Sequence, residues 1–461
     1  MTAKRAVVIG AGFAGLSAAY HLQKAGWSVV VLEGADEVGG RVRTVRKQGY
    51  TLDTGATQMS SGYQEYLGLC DELGLGDQMI ESSQSLGIVR DGRLHTIDGR
   101  NMLSAVVSPV LSLGGKLTLL NTVRDALAIR PKIDVFDVSK SHNVDVETAK
   151  QYSGRRLSKE IYDVLVDPIV RAYVMNRGDN VSALEWFSAL ANLGGQTMLS
   201  LNGGNDRLPK AIASKLDVRL QTRATSIRKF ADHVEVTARS ESNQTLDLEA
   251  DACVLATRLH EASEIYPAVS QIVGGLGARL KYNRAWVVHL GFKKKPNTDI
   301  VGMLLPTASH PEVGLIWLEH NKNSDRAPAG KSLFTVYSDE AANDDYYGLS
   351  DAALISNAIK RIEELFPELS GGHEMAHVTR WPCAIPNTAV GIYKDMYAMK
   401  QRLNPEDPVQ LAGDYLTCTG QNSAIHYGRL AAENIITHQT KRNSSVAKAK
   451  GQAGRQNEVV H

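Results

Sequence analysis

The sequence predicts an α/β protein that contains a Rossmann-like parallel sheet. Residues 6–10 (AVVIG) form an apolar, β-branched run typical of a strand buried on both faces. A glycine motif, GxGxxG, starts at the end of this run with Gly10, Gly12 and Gly15. The chain has 461 residues, which exceeds the ~100–200 residues of an ordinary domain. We therefore expect two to three units of core size.

The glycine motif and the residues after it predict a dinucleotide site. Gly10 permits a tight turn, Gly12 lets a pyrophosphate approach the backbone, and Gly15 brings the helix close to the strand. A helical segment then ends at a glycine, and a second apolar strand, Ser28–Leu32, leads to Glu33. A carboxylate at the end of this strand can accept hydrogen bonds from both hydroxyls of an adenosine ribose.

A second glycine pair indicates which dinucleotide is bound. Gly39, Gly40 and Arg41 follow Glu33 after five intervening residues. Glycines allow close passage of phosphates, and arginine supplies permanent charge and forked donors. A nicotinamide site needs only the βαβ unit, so this addition favours FAD. An NAD-dependent dehydrogenase remains the alternative if the match is accidental.

The stretch VVIGAGFAGLSAAYHLQKAG…VVVLEGADEVGGRVRT resembles the flavin-containing amine oxidoreductase superfamily, which includes monoamine and polyamine oxidases, protoporphyrinogen oxidases and phytoene desaturases. The resemblance implies an FAD-binding domain of the GR2 type and dissociable, non-covalent FAD. The residues it assigns to the cofactor are Gly10, Gly12, Phe13, Ala14, Gly15, Glu33, Gly39, Gly40, Arg41, Gly55, Ala56, Thr57, Ala224, Gly413, Asp414, Ser423, Ala424 and Ile425.

Three later segments carry the same resemblance. Residues 50–57 are similar to the family's strand and loop beside the flavin ring, and residues 203–256 to its second nucleotide segment, where Ala224 would read the adenine edge. In the third segment, Asp414 would bind ribityl hydroxyls or lie near the pyrophosphate through Gly413. The helix that begins near Ser423 would direct its N-terminal dipole at the flavin C2 carbonyl.

Flavin segments at the start, middle and end imply interleaved domains. We predict a discontinuous FAD-binding domain from residues 1–75, 203–284 and 401–440, and an α+β substrate-binding domain from residues 76–202 and 285–400. Residues 441–461 contain five lysines and arginines but one glutamate, and few apolar residues. They are predicted to be a flexible tail, with a membrane-tethering arm as the alternative.

The predicted substrate half contains few specific signals. Residues 157–166 have apolar side chains at helical spacing, and Asp167-Pro168 is expected to end that helix. The order of elements and the segment 380–386 (RWPCAIP) resemble the protoporphyrinogen-oxidase and desaturase branch. This places the chain nearer to that branch but identifies no substrate.

The segment LKYNRAWVVHLGF differs from the amine-oxidase pattern. In amine oxidases a lysine usually holds a water near flavin N5, and alignment by the terminal Gly-Phe places Val287 there. Lys281 lies six residues earlier and is expected to be solvated. The usual aromatic residue before the last flavin helix falls near Gly420. Both differences argue against a typical monoamine oxidase.

No catalytic side chain is evident, because flavin N5 carries the chemistry in this family. Candidates for contact with flavin or substrate are His426, Trp381 and Tyr427, and core packing is the alternative for each.

We predict an FAD-dependent oxidase or dehydrogenase that moves a hydride from a C–N or C–C bond of a mainly apolar small molecule to the flavin. O2 or another acceptor, such as a quinone, would reoxidise it. An amine oxidase that yields imine and hydrogen peroxide, and a non-redox flavin-dependent isomerase, are the alternatives.

Composition and charge restrict the partners and the compartment. The formal net charge is +1, so no broad positive field for nucleic acid is expected. The longest apolar stretch, residues 102–120, is interrupted by proline, glycine and lysine, so no transmembrane segment is predicted. Peripheral membrane contact and a homodimer stay open.

The chain lacks metal-ligand spacings, and its cysteines suggest buried free thiols in a reducing cytoplasm: Cys70, Cys253, Cys383 and Cys418. Covalent flavin attachment through Cys383 or Cys418 is the less favoured alternative.

Overall fold

The fold, known from a computed structural model, combines two large sheets with helices on their faces. Residues 3–101, 104–129, 131, 133–134, 137–417 and 420–457 are described, with backbone alone for 193 and 440–457.

The strands are β1 (Arg5–Ile9), β2 (Ser28–Leu32), β3 (Thr44–Lys47), β4 (Tyr50–Asp53), β5 (Met59–Ser60), β6 (Met79–Glu81), β7 (Ser85–Arg90), β8 (Arg93–Asp98), β9 (Met198–Leu201), β10 (Asp217–Arg219), β11 (Thr222–Lys229), β12 (Val234–Ser240), β13 (Thr245–Ala250), β14 (Ala252–Leu255), β15 (Tyr282–Phe292), β16 (Gly302–Leu304), β17 (Leu315–Leu318), β18 (Ser332–Tyr337), β19 (His373–Pro386) and β20 (Val409–Leu411).

The α-helices are α1 (Phe13–Lys24), α2 (Gln64–Glu72), α3 (Ser104–Val107), α4 (Leu113–Ile129), α5 (Ala149–Arg156), α6 (Lys159–Ile161), α7 (Asp167–Val174), α8 (Ala183–Leu193), α9 (Arg207–Ala213), α10 (Leu259–Ile265), α11 (Ala268–Val273), α12 (Leu276–Arg279), α13 (Glu319–Lys322), α14 (Asn343–Tyr346), α15 (Asp351–Leu365), α16 (Ile392–Lys400) and α17 (Gln421–Asn457).

The first large sheet is parallel and has the strand order β10-β2-β1-β14-β20. Its strands come from the start, the middle and the end of the chain. Ala6 and Val8 face one core, whereas Val7 and Ile9 face another. Both faces are therefore covered, which explains why β1 reads as an unbroken apolar run. The predicted Rossmann-like domain is confirmed.

Helices α1 and α17 cover one face of this sheet at very short range. A Cβ atom on Gly428 would lie 2.1 Å from the carbonyl oxygen of Ala14. The hydroxyl of Ser17 donates a hydrogen bond to the carbonyl of Ile425 at 2.8 Å. This contact joins the N-terminal glycine motif to the C-terminal helix.

The second large sheet has the order β19-β15-β18-β17-β16-β7-β8 and is mostly antiparallel. Val287 in β15 belongs to a core shared with helices α5, α7 and α8, whereas its neighbours Trp286 and Val288 pack against α15 on the other face. Strands β15 and β19 pair at Tyr282 and Pro386, and Tyr282 lies in the segment 203–284 that is predicted to bind FAD.

One expectation about a helix is wrong. Asp167-Pro168 does not end a helix, because α6 continues through a π-helical turn, Tyr162–Val166, into α7. Proline is tolerated there because it lies in the first turn of α7. Helix α17 extends to Asn457, so the backbone of 441–457 is helical, and the flexibility predicted for residues 441–461 stays a prediction. Its alanines and lysines are good helix formers. The last four residues, 458–461, lie outside the described residues.

Among the described helices, none is both long enough and apolar enough to cross a membrane.

Candidate active site

A cavity of about 530 Å³ lies between the parallel sheet and the second large sheet. Most of the predicted cofactor residues line it: Gly10, Gly12, Phe13, Ala14, Glu33, Gly39, Gly40, Arg41, Gly55, Ala56, Ala224, Gly413, Asp414 and Ala424. Four do not: Gly15, Thr57, Ser423 and Ile425. The charged side chains in the lining all come from the three segments predicted to bind FAD, and they are Glu33, Arg41, Arg223, Arg258, Glu261 and Asp414.

The glycines of the first motif differ in their surroundings. Gly10 has φ of 101°, in the left-handed region that favours glycine. A Cβ atom on Gly15 would lie 1.8 Å from the carbonyl oxygen of Gly10, whereas one on Gly12 would meet no atom within 4 Å. Gly15 therefore allows the helix to approach the strand, and Gly12 borders open space in the cavity.

The second glycine pair packs against the first motif. The amide of Gly39 donates to the carbonyl of Ala11 at 2.8 Å, and Gly39 and Gly12 form an isolated parallel bridge. A Cβ atom on Gly40 would lie 3.3 Å from the Cα atom of Gly12. The two glycine segments thus form one continuous backbone surface.

Glu33 is held by the backbone at the end of β2. Its Oε2 atom accepts a hydrogen bond from the amide of Ala11 at 2.7 Å, and Oε1 accepts one from Ala35 at 2.8 Å. Each carboxylate oxygen has a further lone pair. The side chain is therefore fixed in the cavity wall and can still accept two hydroxyl hydrogen bonds.

Arg41 and Asp414 form an ion pair between distant parts of the chain. Nη1 of Arg41 lies 2.6 Å from Oδ2 of Asp414 and also donates to the carbonyl of Ala384 at 3.0 Å. Burial lowers the pKa of Arg41, but the charge of Asp414, the hydrogen bond to it and the smaller effects of Tyr282 and Cys383 together outweigh burial and raise the pKa. The guanidinium is therefore a permanent cation beside the glycine surface.

The loop after β4 meets the substrate-half sheet. A Cβ atom on Gly55 would lie 2.0 Å from the carbonyl oxygen of Arg41 and 3.3 Å from the ring of Trp381. The indole Nε1 of Trp381 donates to the carbonyl of Thr54 at 2.7 Å. The hydroxyl of Tyr337 donates to the carbonyl of Gly55 at 3.4 Å. The region predicted to lie beside the flavin ring thus faces two aromatic residues.

Ala224 lies on the cavity wall directly before an irregularity in the β11–β12 pairing, between Ala224 and Ser226. A bulge frees backbone groups from the regular ladder, as the predicted adenine contact requires. Thr222 and Arg223 also line the cavity. Neither residue was predicted from the sequence, although their position in the same strand as Ala224 could have indicated them.

The four predicted residues outside the lining have structural contacts. Gly15 and Ile425 take part in the packing of α1 described above. Thr57 and Ser423 are buried, and Thr57 lies within hydrogen-bonding reach of Tyr337. In contrast, Gln421, which was not predicted, lines the cavity at the start of α17.

Of the three candidates for contact with the reacting groups, only Trp381 lines the cavity. Nδ1 of His426 pairs with Glu65 at 2.8 Å, next to Arg429. Hydrogen bonds from His426 and Arg429 lower the pKa of Glu65 to about 2. Tyr427 packs in a core, where its hydroxyl lies 3.1 Å from Nζ of Lys400. His426 and Tyr427 therefore turn away from the cavity.

The two sequence differences from amine oxidases are both located at the cavity. Val287 and Gly420 line it, whereas Lys281 is exposed and outside the lining. Cys383 also lines the cavity, and Cys70 and Cys253 are buried free thiols. Cys418 lies outside the described residues.

Comparisons with known proteins agree with this geometry. The family model described as flavin containing amine oxidoreductase matches residues 13–436. The chain belongs to the flavin-containing amine oxidoreductase family. It is an FAD-dependent oxidoreductase, and the resemblance seen in its sequence motifs is confirmed.

Proteins with similar sequences include two that are named as porphyrinogen oxidases. The coproporphyrinogen III oxidase of Bacillus subtilis is 22% identical and aligns over 94% of this chain and 98% of its own. The mitochondrial protoporphyrinogen oxidase of Nicotiana tabacum is 33% identical over 42% of this chain and 37% of its own. The solved structure of cyclohexylamine oxidase from Brevibacterium oxydans shares the fold, with a TM-score of 0.77 and 17% identity. The match covers 95% of this chain and 100% of the oxidase.

The cavity of this family member fits FAD. Open space next to Gly12 leaves room for a phosphate against the backbone, and Arg41 supplies the positive charge. Oε1 of Gln421 is buried without a hydrogen-bond partner among the described residues. An N–H group of a bound molecule would satisfy it. Glu33 would hold the ribose, and the glycine surface the pyrophosphate.

Proposed function

We propose that this FAD-dependent oxidoreductase takes a hydride from a C–N or C–C bond of a mainly apolar small molecule. The observation that carries the proposal is the wall that the substrate half contributes to the cavity. Its residues lack a charged side chain, and they are Met175, Val287, Tyr337, Trp381, Pro382, Cys383, Ala384 and Ile385. A reacting carbon placed there meets apolar and aromatic groups.

This wall supports reaction without a strong side-chain base. It includes no lysine, histidine or carboxylate, and burial holds the pKa of the Tyr337 phenol well above its usual value. Tyr337 is therefore a neutral hydrogen-bond donor to the loop of Gly55. FAD supplies the two-electron acceptor. The protein positions the substrate and excludes water, which suits a neutral amine or an electron-rich carbon that loses hydride directly.

A porphyrinogen is the first substrate class to test. Its carbons are electron-rich, and the named coproporphyrinogen III oxidase aligns with nearly all of this chain. A cyclic amine is the second, because Trp381 and Tyr337 place two aromatic rings at the wall. A cationic amine can be attracted to aromatic faces, but it would have to lose its proton before hydride transfer.

The experiment is anaerobic mixing of the purified holoenzyme with coproporphyrinogen III, protoporphyrinogen IX or cyclohexylamine, read by loss of the oxidised flavin absorbance. We expect bleaching with a porphyrinogen. Conversion to the porphyrin removes six electrons and each FAD accepts two, so the fluorescent porphyrin should form with at least three equivalents of holoenzyme or after O2 is admitted. Bleaching by cyclohexylamine alone would assign amine oxidation instead. Conversion of a substrate without bleaching would indicate an isomerase. Peroxide release on re-aeration identifies O2 as the acceptor.

A matched pair of variants tests the wall itself. Val287→Lys places a cation in the lining, and Lys281→Ala removes an exposed lysine six residues away. With a porphyrinogen as the substrate, we expect Val287→Lys to slow bleaching at least tenfold and Lys281→Ala to leave it unchanged. Equal rates for all three proteins would contradict the placement of the reacting carbon.

A further inference from the structure

Helix α4 exposes most of its large apolar side chains. Leu113, Leu117, Leu120 and Leu127 are 81%, 70%, 56% and 63% exposed. With 3.6 residues per turn, these four positions fall within an arc of about 80° around the helix axis. A helix on a globular protein normally turns its apolar stripe towards the core. The stripe of α4 points outwards and is available for a contact outside the chain.

The other side of α4 fixes the helix to the substrate half. Gly115 and Leu119 are buried. The side-chain amide of Asn121 donates to the carbonyl of Arg156 at 2.9 Å, and the carboxylate of Asp125 pairs with the Arg156 guanidinium at 2.7 Å. The leucines are thus exposed on a docked helix, held by contacts on its opposite side.

The charges on α4 are positive on balance. Lys116 and Arg124 have no ion-pair partner in the part of the chain that the structure describes. Asp125 is the one acidic residue of the helix sequence, and Arg156 neutralises it. Arg124 lies within the leucine arc, and Lys116 lies at its edge. The exposed face therefore combines apolar and cationic groups.

We propose that α4 lies in the interface of an anionic lipid surface. The four exposed leucines would enter the boundary between headgroups and acyl chains. Lys116 and Arg124 would extend their charged ends to the lipid phosphates, while their methylene stems stay in apolar surroundings. Apolar insertion combined with attraction to anionic lipid is how an interfacial helix binds.

Area and charge argue against a second copy of this chain as the occupant. The 17 residues of α4 span about 26 Å, and a face about 10 Å wide covers about 260 Å². A stable dimer buries about 800 Å² on each partner. A two-fold contact through this face would also bring the unpaired cations of both copies together. A lipid surface does not require about 800 Å² of buried area, and an anionic one attracts these cations.

The test is co-sedimentation of the full-length holoenzyme with vesicles of phosphatidylcholine, with and without phosphatidylglycerol. The variant is Leu117→Ser/Leu120→Ser. The matched control is Leu94→Ser/Leu220→Ser, which changes two leucines of 38% and 39% exposure away from α4. All three proteins keep the same basic C-terminal residues, so a difference between them reports on the leucines.

We expect the wild type and the control to bind the anionic vesicles, with weaker binding at high salt and on phosphatidylcholine alone. The α4 variant should bind at least about tenfold more weakly, because two leucines no longer insert. The proposal is overturned if the wild type does not bind anionic vesicles, or if the α4 variant binds as the control does. It is also overturned if sedimentation velocity shows a dimer that only the α4 variant loses.

Discussion

Glu185 makes the stability of this enzyme depend on pH near neutrality. The side chain is buried in α8, where it accepts a hydrogen bond from the hydroxyl of Tyr393 and lies near Asp145. Burial raises the pKa of Glu185 from 4.5 to about 7; hydrogen bonds from Thr388 and Tyr393 oppose this, and Asp145 adds to it. The folded state thus keeps a proton that the unfolded state has already lost.

The sign and the magnitude of this effect follow from linkage. For an acid whose pKa is raised on folding, the stabilising contribution is complete below pH 4.5 and is lost as pH rises towards 7. A shift from 4.5 to about 7 corresponds to about 3 kcal/mol, at 1.36 kcal/mol per pKa unit. Glu185→Gln carries a neutral amide in place of the protonated acid, so it should remove this dependence.

Urea unfolding at pH 5 and pH 8, with saturating FAD, provides the measurement. We expect Glu185→Gln to be close to wild type at pH 5 and more stable by up to about 3 kcal/mol at pH 8. The exposed Glu264→Gln is the control and should follow the wild type at both values. A difference between Glu185→Gln and wild type that is the same at both pH values would refute the reasoning.

The remaining predictions concern the cofactor cavity. Gly15→Ala should lower the melting temperature of the apoprotein, because its Cβ would overlap the Gly10 carbonyl, whereas Gly12→Ala should leave that temperature within a few degrees and weaken FAD binding. Equal melting temperatures for the two apoproteins would contradict these roles. Glu33→Gln should weaken FAD binding about tenfold by equilibrium dialysis, since a charged acceptor contributes ~1.5–3 kcal/mol; unchanged affinity would remove Glu33 from the ribose site. Trp381→Phe keeps a ring but loses the bond to Thr54, so the reduction rate should fall more than FAD affinity.

The first βαβ unit could be predicted because its signals are local. The predicted second strand, Ser28–Leu32, is the observed β2, and the first strand differs by one residue at each end. Gly10 leaves the strand because it turns the chain with positive φ. The apolar runs, the glycines and the acid are each recognised from a few neighbouring residues. The strand and turn conformations that they determine also involve only those neighbours.

Contacts between remote residues could not be predicted in this way. His426 and Glu65 are 361 positions apart, and Arg41 and Asp414 are 373 apart. Sequence spacing shows that His426 occupies the closing helix, but the side of that helix which meets the cavity depends on how α17 packs against α1 and α2. The same limit applies to α4, whose leucines have a helical pattern that normally indicates a buried face.

The strand order of the parallel sheet has a consequence for biosynthesis. β20, the turn after it and α17 complete the cavity with Gly413, Asp414 and Ala424, yet these segments leave the ribosome after all the other residues that line the cavity. Glycine motifs near the N-terminus are therefore made long before a full cavity exists. We expect FAD to be captured only after β20 and the start of α17 have left the ribosome, so a nascent chain stalled before β20 would not retain flavin.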